Sequence, residues 1–428
     1  MEQRERTYRQ VAENLGLTWH AARVPFAGRG AGVSGAFRGF RVRTDEFVGR
    51  KRRCVRVTVD GVGTNAGSVP VRLELDRERT SIGMIGGEDV VVGDPRFDER
   101  VRVRGGEAVA LAALGREARS ALLTAIIAGD EIRVRAGMVI AELEFNSRPD
   151  PTQLIAVTRR AVRVARHLVV SANGIPAALA ERALKDPLPG VRLQALEALA
   201  RLEGEGALAR RVARGLLSDK DPEVRLRAAV AAGREGFDTL VALVRARSGR
   251  GRSRGPRRWG SGLAEALDRS REGNEGRRAR ALDHLVARYP AAWVRPLLHG
   301  AVKSGPGPLR VAALRGVARI GDASFQSEVL RLLDHPTDAV RDAAVAALGA
   351  VGTVAAVPAL RALAARSGSL EFPVRRAVDT AVAAIQSRIS GAAAGQVSLA
   401  DTAPVGGEVS LAGGTGDAAG RLSAATQG

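Results

Sequence analysis

Five histidines, one cysteine and a few clustered acids are the residues of this 428-residue chain from which chemistry could be built. The histidines are His20, His167, His284, His299 and His335, and none forms an HExxH motif or a His-Glu pair, so no helical metal site is spelled out. Cys54 has basic neighbours in Lys51, Arg52 and Arg53, which favour a thiolate, but Val55, Val57 and Val59 continue an alternating pattern that places it in a strand. Asp94, Asp98 and Glu99 crowd the segment GDPRFDE, where they could bind a cation or simply serve as acidic turn residues. The glycine-rich stretch GRGAGVSG (28–35) lacks the strand–helix setting and the GK[ST] ending of a phosphate loop and reads as a turn or hairpin. These residues define no catalytic, cofactor-binding or metal-ligating set.

The totals point away from an aromatic-lined pocket. Aromatics make up 3% of the chain, and the net charge is +20. Arginines account for 62 of the 66 basic residues, the bias of a GC-rich genome, which weakens the charge as a sign of nucleic acid. A single cysteine excludes an intramolecular disulfide framework and fits a reducing compartment. The N-terminus MEQRERTYRQ has no apolar core of the signal-peptide kind, so a cytoplasmic location is expected. Residues 343–360 carry no charge, but Gly349, Gly352 and Pro358 interrupt them and no membrane span is expected.

Residues 1–150 read as an α+β domain with a bent antiparallel sheet. A helix is predicted over 4–16 and period-two strands near 37–42, 54–59 and 71–75. Strand, turn, strand is predicted over 90–106, a continuous helix over 107–128, and strands over 131–135 and 138–145. A connecting helix occupies 151–174, after Pro149 and Pro151. The segment GDPRFDERVRVRG with the helix and strands after it resembles a domain of uncharacterised bacterial proteins, a resemblance that implies no activity.

Residues 175–390 repeat. Apolar-Arg pairs recur at Arg192, Arg225, Arg310, Arg341 and Arg375, with a degenerate copy at Arg278. Three positions after each arginine stands Ala195, Ala228, Ala281, Ala313, Ala344 or Val378; eight after, Ala200, Gly233, Val286, Ala318, Gly349 or Ala383. Six units of roughly 30–35 residues have the period of a helical solenoid. Pro187, Pro222 and Pro336 break the chain between the two helices of a unit. Asp186, Asp219, Asp221 and Asp334 are placed to cap the second helix. The arginine, near that helix's positive end, is expected to pair with turn carboxylates, and the small residues to let neighbouring helices approach.

The segments DPLPGVRLQALEALARL (186–202), DKDPEVRLRAAVAAG (219–233) and DHPTDAVRDAAVAALGAVG (334–352) resemble HEAT repeats, especially the short type also found in phycobilisome lyases. The resemblance covers about half the chain. It implies an α-solenoid presenting an extended surface, most often to proteins. The missing His-Glu pairs speak against diiron hydroxylases built on such repeats. Trp259, Tyr289 and Trp293 near Asp283 keep a repeat-based DNA glycosylase as a remote alternative, and a bilin lyase rests on the repeat likeness alone.

Two segments lie outside the repeat pattern. A basic insertion spans 245–262, and its stretch RARSGRGRSRGPRR holds seven arginines and no acid: Arg245, Arg247, Arg250, Arg252, Arg254, Arg257 and Arg258. It is a candidate anion-binding arm for nucleic acid or another polyanion, or a solvated loop. The C-terminal segment 391–428 is Gly-, Ala- and Ser-rich, is expected to be disordered, and carries GQVSLA, GEVSLA and GRLSAA at 395, 407 and 420. The sequence therefore predicts an α+β N-terminal domain, an all-α HEAT-like solenoid and a disordered C-terminal tail. The function expected is that of a soluble bacterial scaffold or adaptor without enzymatic activity or cofactor, binding an unknown protein, with nucleic-acid association as the alternative.

Overall fold

The computed structural model describes residues 2–21, 31–48, 53–61, 74–77, 89–146, 149–168, 170, 174–246, 261–366 and 372–388. Most of the arginine-rich insertion (247–260) and the whole C-terminal segment 391–428 lie outside these, and with them the disorder expected for the tail. Two compact units emerge, Met1–Gly236 and Phe237–Gly428.

The first unit is built on one eight-stranded antiparallel sheet. Helix α1 (Glu2–Leu15) is followed by β1 (Thr18–His20), β2 (Gly32–Phe37), β3 (Phe40–Val48), β4 (Arg53–Asp60) and β5 (Glu74–Arg77). Then come α2 (Pro95–Asp98), β6 (Val101–Arg104), α3 (Glu107–Ala113), α4 (Arg116–Ile127), β7 (Glu131–Arg135), β8 (Met138–Phe145) and α5 (Pro151–His167). The strand order is β1-β2-β3-β4-β8-β7-β5-β6. Two tight hairpins set its register. Phe37 pairs Phe40 around Arg38-Gly39, and Arg135 pairs Met138 around Ala136-Gly137. All four turn residues have positive φ, the mirror-image turn that matches strand twist. Alternation then buries Val55, Val57, Val59, Val139 and Ala141, against which α5 packs, while Arg56, Arg133 and Glu142 pair on the open face. Cys54 is buried in β4, inside the strand pattern its neighbours announced.

Several local expectations change. The strand expected near 37–42 instead turns at Arg38-Gly39, between β2 and β3. The segment 90–92 forms no strand, although the Val90 N–H bonds the Val103 carbonyl of β6. Its turn is the short helix α2, because Asp94 caps it and Pro95 fits the first helical position. The helix predicted over 107–128 is broken at Leu114-Gly115 into α3 and α4, which lets the two run along different neighbours: α3 against the first repeat, α4 against α5 and β7.

Paired helices follow. In the first unit they are α6 (Ile175–Lys185) with α7 (Pro189–Arg201) and α8 (Gly206–Gly215) with α9 (Pro222–Ala232). One continuous core runs from Tyr8 in α1 through the sheet to Val224, Ala228 and Ala232 in α9, so these two pairs share their core with the sheet. The second unit holds α10 (Phe237–Arg245) with α11 (Ser261–Arg288), α12 (Ala291–Ser304) with α13 (Gly307–Ile320), α14 (Gln326–Leu330) with α15 (Asp338–Val351), and α16 (Val357–Arg366) with α17 (Phe372–Ser387). The second helices of the pairs, α11, α13, α15 and α17, stack in sequence. No single pair could bury its apolar stripe, and stacking removes that stripe from water.

Candidate functional site

The expected pairing of the repeat arginines with carboxylates is present at Arg192, with Asp219 of the next unit, and at Arg341, with Asp338 of its own, but bonds to backbone carbonyls recur more widely. In five units the guanidinium reaches back to carbonyls at the end of the preceding helix or in the turn that follows it. Arg192 Nη1 donates to the carbonyls of Asp186 (2.8 Å) and Pro187 (3.2 Å). Arg225 Nη1 donates to Asp219 (2.6 Å) and Lys220 (3.1 Å). Arg278 Nε reaches the Val244 carbonyl at 3.0 Å, and Arg310 Nε the Val302 carbonyl at 3.1 Å. Arg341 Nη1 reaches the His335 carbonyl at 3.1 Å. At Arg278 and Arg310, whose acceptors lie in the last turns of α10 and α12, the cation sits at the negative end of the preceding helix, where the macrodipole favours it and orphan acceptors need a donor.

A second bond links consecutive units. Arg192 Nη2 lies 2.7 Å from Oδ1 of Asp219, whose same oxygen accepts the Asp221 N–H at 2.8 Å. Both side chains are about nine-tenths buried. In the fifth unit the equivalent place belongs to His335, six residues before Arg341. Arg310 Nη1 lies 2.7 Å from its Nε2, and the Thr337 N–H donates to its Nδ1 at 3.1 Å. Asp334, expected to cap α15, is one residue early: its carboxylate is exposed and pairs with Arg366 at 2.9 Å, while Thr337 occupies the cap without a side-chain bond. Asp221 does cap α9, accepting from Glu223 and Val224. Among the prolines, Pro222 opens α9, while Pro187 and Pro336 stay in their turns and the first helical position of α7 goes to Pro189.

The small-residue rule also divides. The residues three after the arginine are buried in all six units, Ala195 through Val378. Those eight after are not: Ala200 and Gly233 are exposed, and of the six only Gly349 is fully buried. Gly349 meets the next unit closely, since a Cβ there would lie 3.2 Å from Ala381 Cα. Val286, the large exception, faces Gly316, where a Cβ would come within 2.9 Å of it. Bulk in one unit is matched by a missing side chain in the next.

Asp186 is a junction. Arg119 of α4, almost wholly buried, donates from Nε to Asp94 Oδ2 (3.0 Å), from Nη1 to the Leu114 carbonyl (2.9 Å) and from Nη2 to Asp186 Oδ2 (3.0 Å). The acidic turn is thereby occupied by protein groups: Asp94 serves Phe97 N–H and Arg119, and Asp98 accepts the N–H groups of Val92 and Gly93. Burial still pushes the Asp98 carboxyl up despite those bonds. Beside the junction, Arg182 donates to the Leu111 carbonyl, and burial, reinforced by the charge of Arg119, lowers its guanidinium to about 10. Among the described residues, no group of three or more His, Cys, Asp or Glu side chains is arranged to hold a metal.

Of the glycosylase-like set, Trp259 lies outside the described residues. Tyr289 and Trp293 join Phe237, a residue with no sequence signal for the role, in a ring cluster with centroids 4.9–6.5 Å apart. Asp283 instead meets Arg315 of the next repeat at 3.1 Å, its carboxyl held above the usual range by burial. His299 stacks on Phe325 at 4.0 Å and bonds Glu328 at 2.9 Å. Of the arginine arm, Arg245 is described, exposed at the end of α10; Arg247, Arg250, Arg252, Arg254, Arg257 and Arg258 fall outside the described residues. Among the described residues, no helix is long and apolar enough to cross a membrane.

Repeated antiparallel helix pairs, joined by arginine-held turns, define a helical-repeat protein. The family of HEAT repeats matches residues 294–386, the stretch from α12 to α17. The matched stretch includes the sixth unit, which lacks the usual aspartate, while the units around Arg192 and Arg225 lie before it. No curated protein matches the chain.

Proposed function

We propose that this chain is a non-enzymatic cytoplasmic adaptor whose HEAT repeats present a surface to a protein partner. The HEAT repeats at 294–386 carry this reading. In these units the turn polar groups are engaged in architecture, while the stacked helices expose rows such as Arg315 and Arg319 on α13 and Asp342 and Ala346 on α15. Rigid helices that hold exposed side chains in fixed rows suit recognition of another macromolecule. The test is retention of proteins by the immobilised full chain after nuclease treatment, compared with R315E/R319E. A protein held by the parent and lost from this variant at unchanged melting temperature supports the reading. Identical retention by both, or retention that disappears with nuclease, overturns it.

A second reading is nucleic-acid association through residues 245–258, supported by seven arginines without an acid. Replacing the arginines at 247–258 with serine should weaken DNA or RNA binding and flatten its salt dependence. Absence of binding at low salt excludes this reading.

A further inference from the structure

Between α15 and α17 runs a groove of about 850 Å³, lined by Ala346 and Ala350 on one side and Ala377 and Ala384 on the other, with Arg376 and Arg388 among its lining. Its depth follows from the packing. Gly349 brings the two helices together at Ala381, and the short side chains around that contact, alanines with Thr380 among them, leave the space above it open. Arg388 is bound to the carbonyls of Gly349 and Gly352 at the end of α15, which fixes one cation at the groove. Arg376 is exposed.

The described chain stops at Arg388, itself a lining residue, and forty residues of sequence, 389–428, remain. Within them G-x-[VL]-S-x-A occurs three times, first at Gly395. We propose that this C-terminal segment occupies the α15–α17 groove of its own chain, one motif at a time. Extended chain covers about 3.3 Å per residue, so even the motif at 407–412 has ample reach. Attachment at the groove's edge gives each motif an effective concentration on the order of millimolar, so a weak interaction suffices. The chemistry matches on two counts. Val397, Leu399, Val409, Leu411 and Leu422 supply apolar side chains, separated by Gly, Ser and Ala small enough for an alanine-lined floor. Residues 391–428 carry net charge −2, with Glu408 beside Val409, opposite in sign to Arg376 and Arg388. Three copies facing one groove raise its occupancy without tightening any single contact. This inference does not depend on the partner reading.

Hydrogen–deuterium exchange on the full chain tests it, with a second full chain bearing V397D, L399D, V409D, L411D and L422D. All five positions follow the last described helix in sequence. Amides in 343–352 and 376–388 should exchange several-fold more slowly in the parent, independently of protein concentration. A third chain, A346E/T380E, alters the exposed groove lining alone. It should remove the difference in exchange that the tail substitutions produce. Equal exchange in parent and tail variant overturns the proposal. So does protection that grows with protein concentration, which would assign the groove to a second copy's segment, or protection that survives A346E/T380E.

Discussion

Gly93 and Gly190 meet backbone to backbone: a Cβ built on Gly190 would lie 2.3 Å from the Gly93 carbonyl oxygen. Gly93 has φ +89° in the turn before α2, and Gly190 is the second residue of α7, the second helix of the first repeat. A side chain on either would separate the turn of the sheet domain from the repeat. Gly190→Ala should therefore cost about 1–3 kcal/mol by overpacking, read in urea denaturation. Gly300→Ala, where a Cβ meets nothing within 4 Å inside α12, should instead stabilise by about 0.5–1 kcal/mol.

Arg119 stands between Asp94 and Asp186, and all three side chains are buried. Removing the cation strands two carboxylates that have little access to water. Arg119→Met should lose about 3–5 kcal/mol. Chemical denaturation monitored by circular dichroism gives the value. A loss below 1 kcal/mol would mean that the acids find water or other donors.

The repeat arginines are not equivalent. Arg192 is mostly buried and its partner Asp219 with it, whereas the partner of Arg341, Asp338, is 80% exposed. Exposed pairs contribute roughly 0–1 kcal/mol, and breaking buried ones costs about 3–5. Arg192→Ala should therefore lower stability by at least about 2 kcal/mol more than Arg341→Ala. Equal losses would place the value of these arginines in their carbonyl bonds alone.

His335 replaces an aspartate imperfectly. Both of its ring nitrogens face donors, Arg310 and the Thr337 N–H, yet a neutral imidazole accepts at only one nitrogen. His335→Asp offers acceptors to both and should stabilise by about 0.5–1.5 kcal/mol, visible as a raised melting temperature at pH 7.

Size matching across the stack is testable by rescue. Gly316→Ala places a methyl within 2.9 Å of Val286 and 2.8 Å of Leu298 and should cost about 1–3 kcal/mol. Adding Val286→Ala should recover part of that loss, a coupling read from the four-member mutant cycle.

Arg278 shows what a repeat signal can carry. With weak local sequence around it, its spacing placed it on the second helix of a pair, and its Nε meets the Val244 carbonyl as Arg310 Nε meets that of Val302. Asp334 shows the limit. It matches the repeat in composition but lies one position off, and the role passes to a histidine that no rule of residue type would choose.

What the sequence determined by itself was periodic: the alternation that makes Val55, Val57 and Val59 one face of a strand, and the arginine spacing that counts six helix pairs. Those patterns are local, because a strand repeats every two residues and a helix every 3.6. Tertiary structure alone decided that Arg119 would join Asp94 to Asp186, that Gly93 would touch Gly190, and that the first two pairs would share the sheet's core. Arg119 and Asp186 are 67 positions apart. No period relates such residues; each side chain fits both solvent and core until the packed chain removes water from around it and leaves one partner within reach.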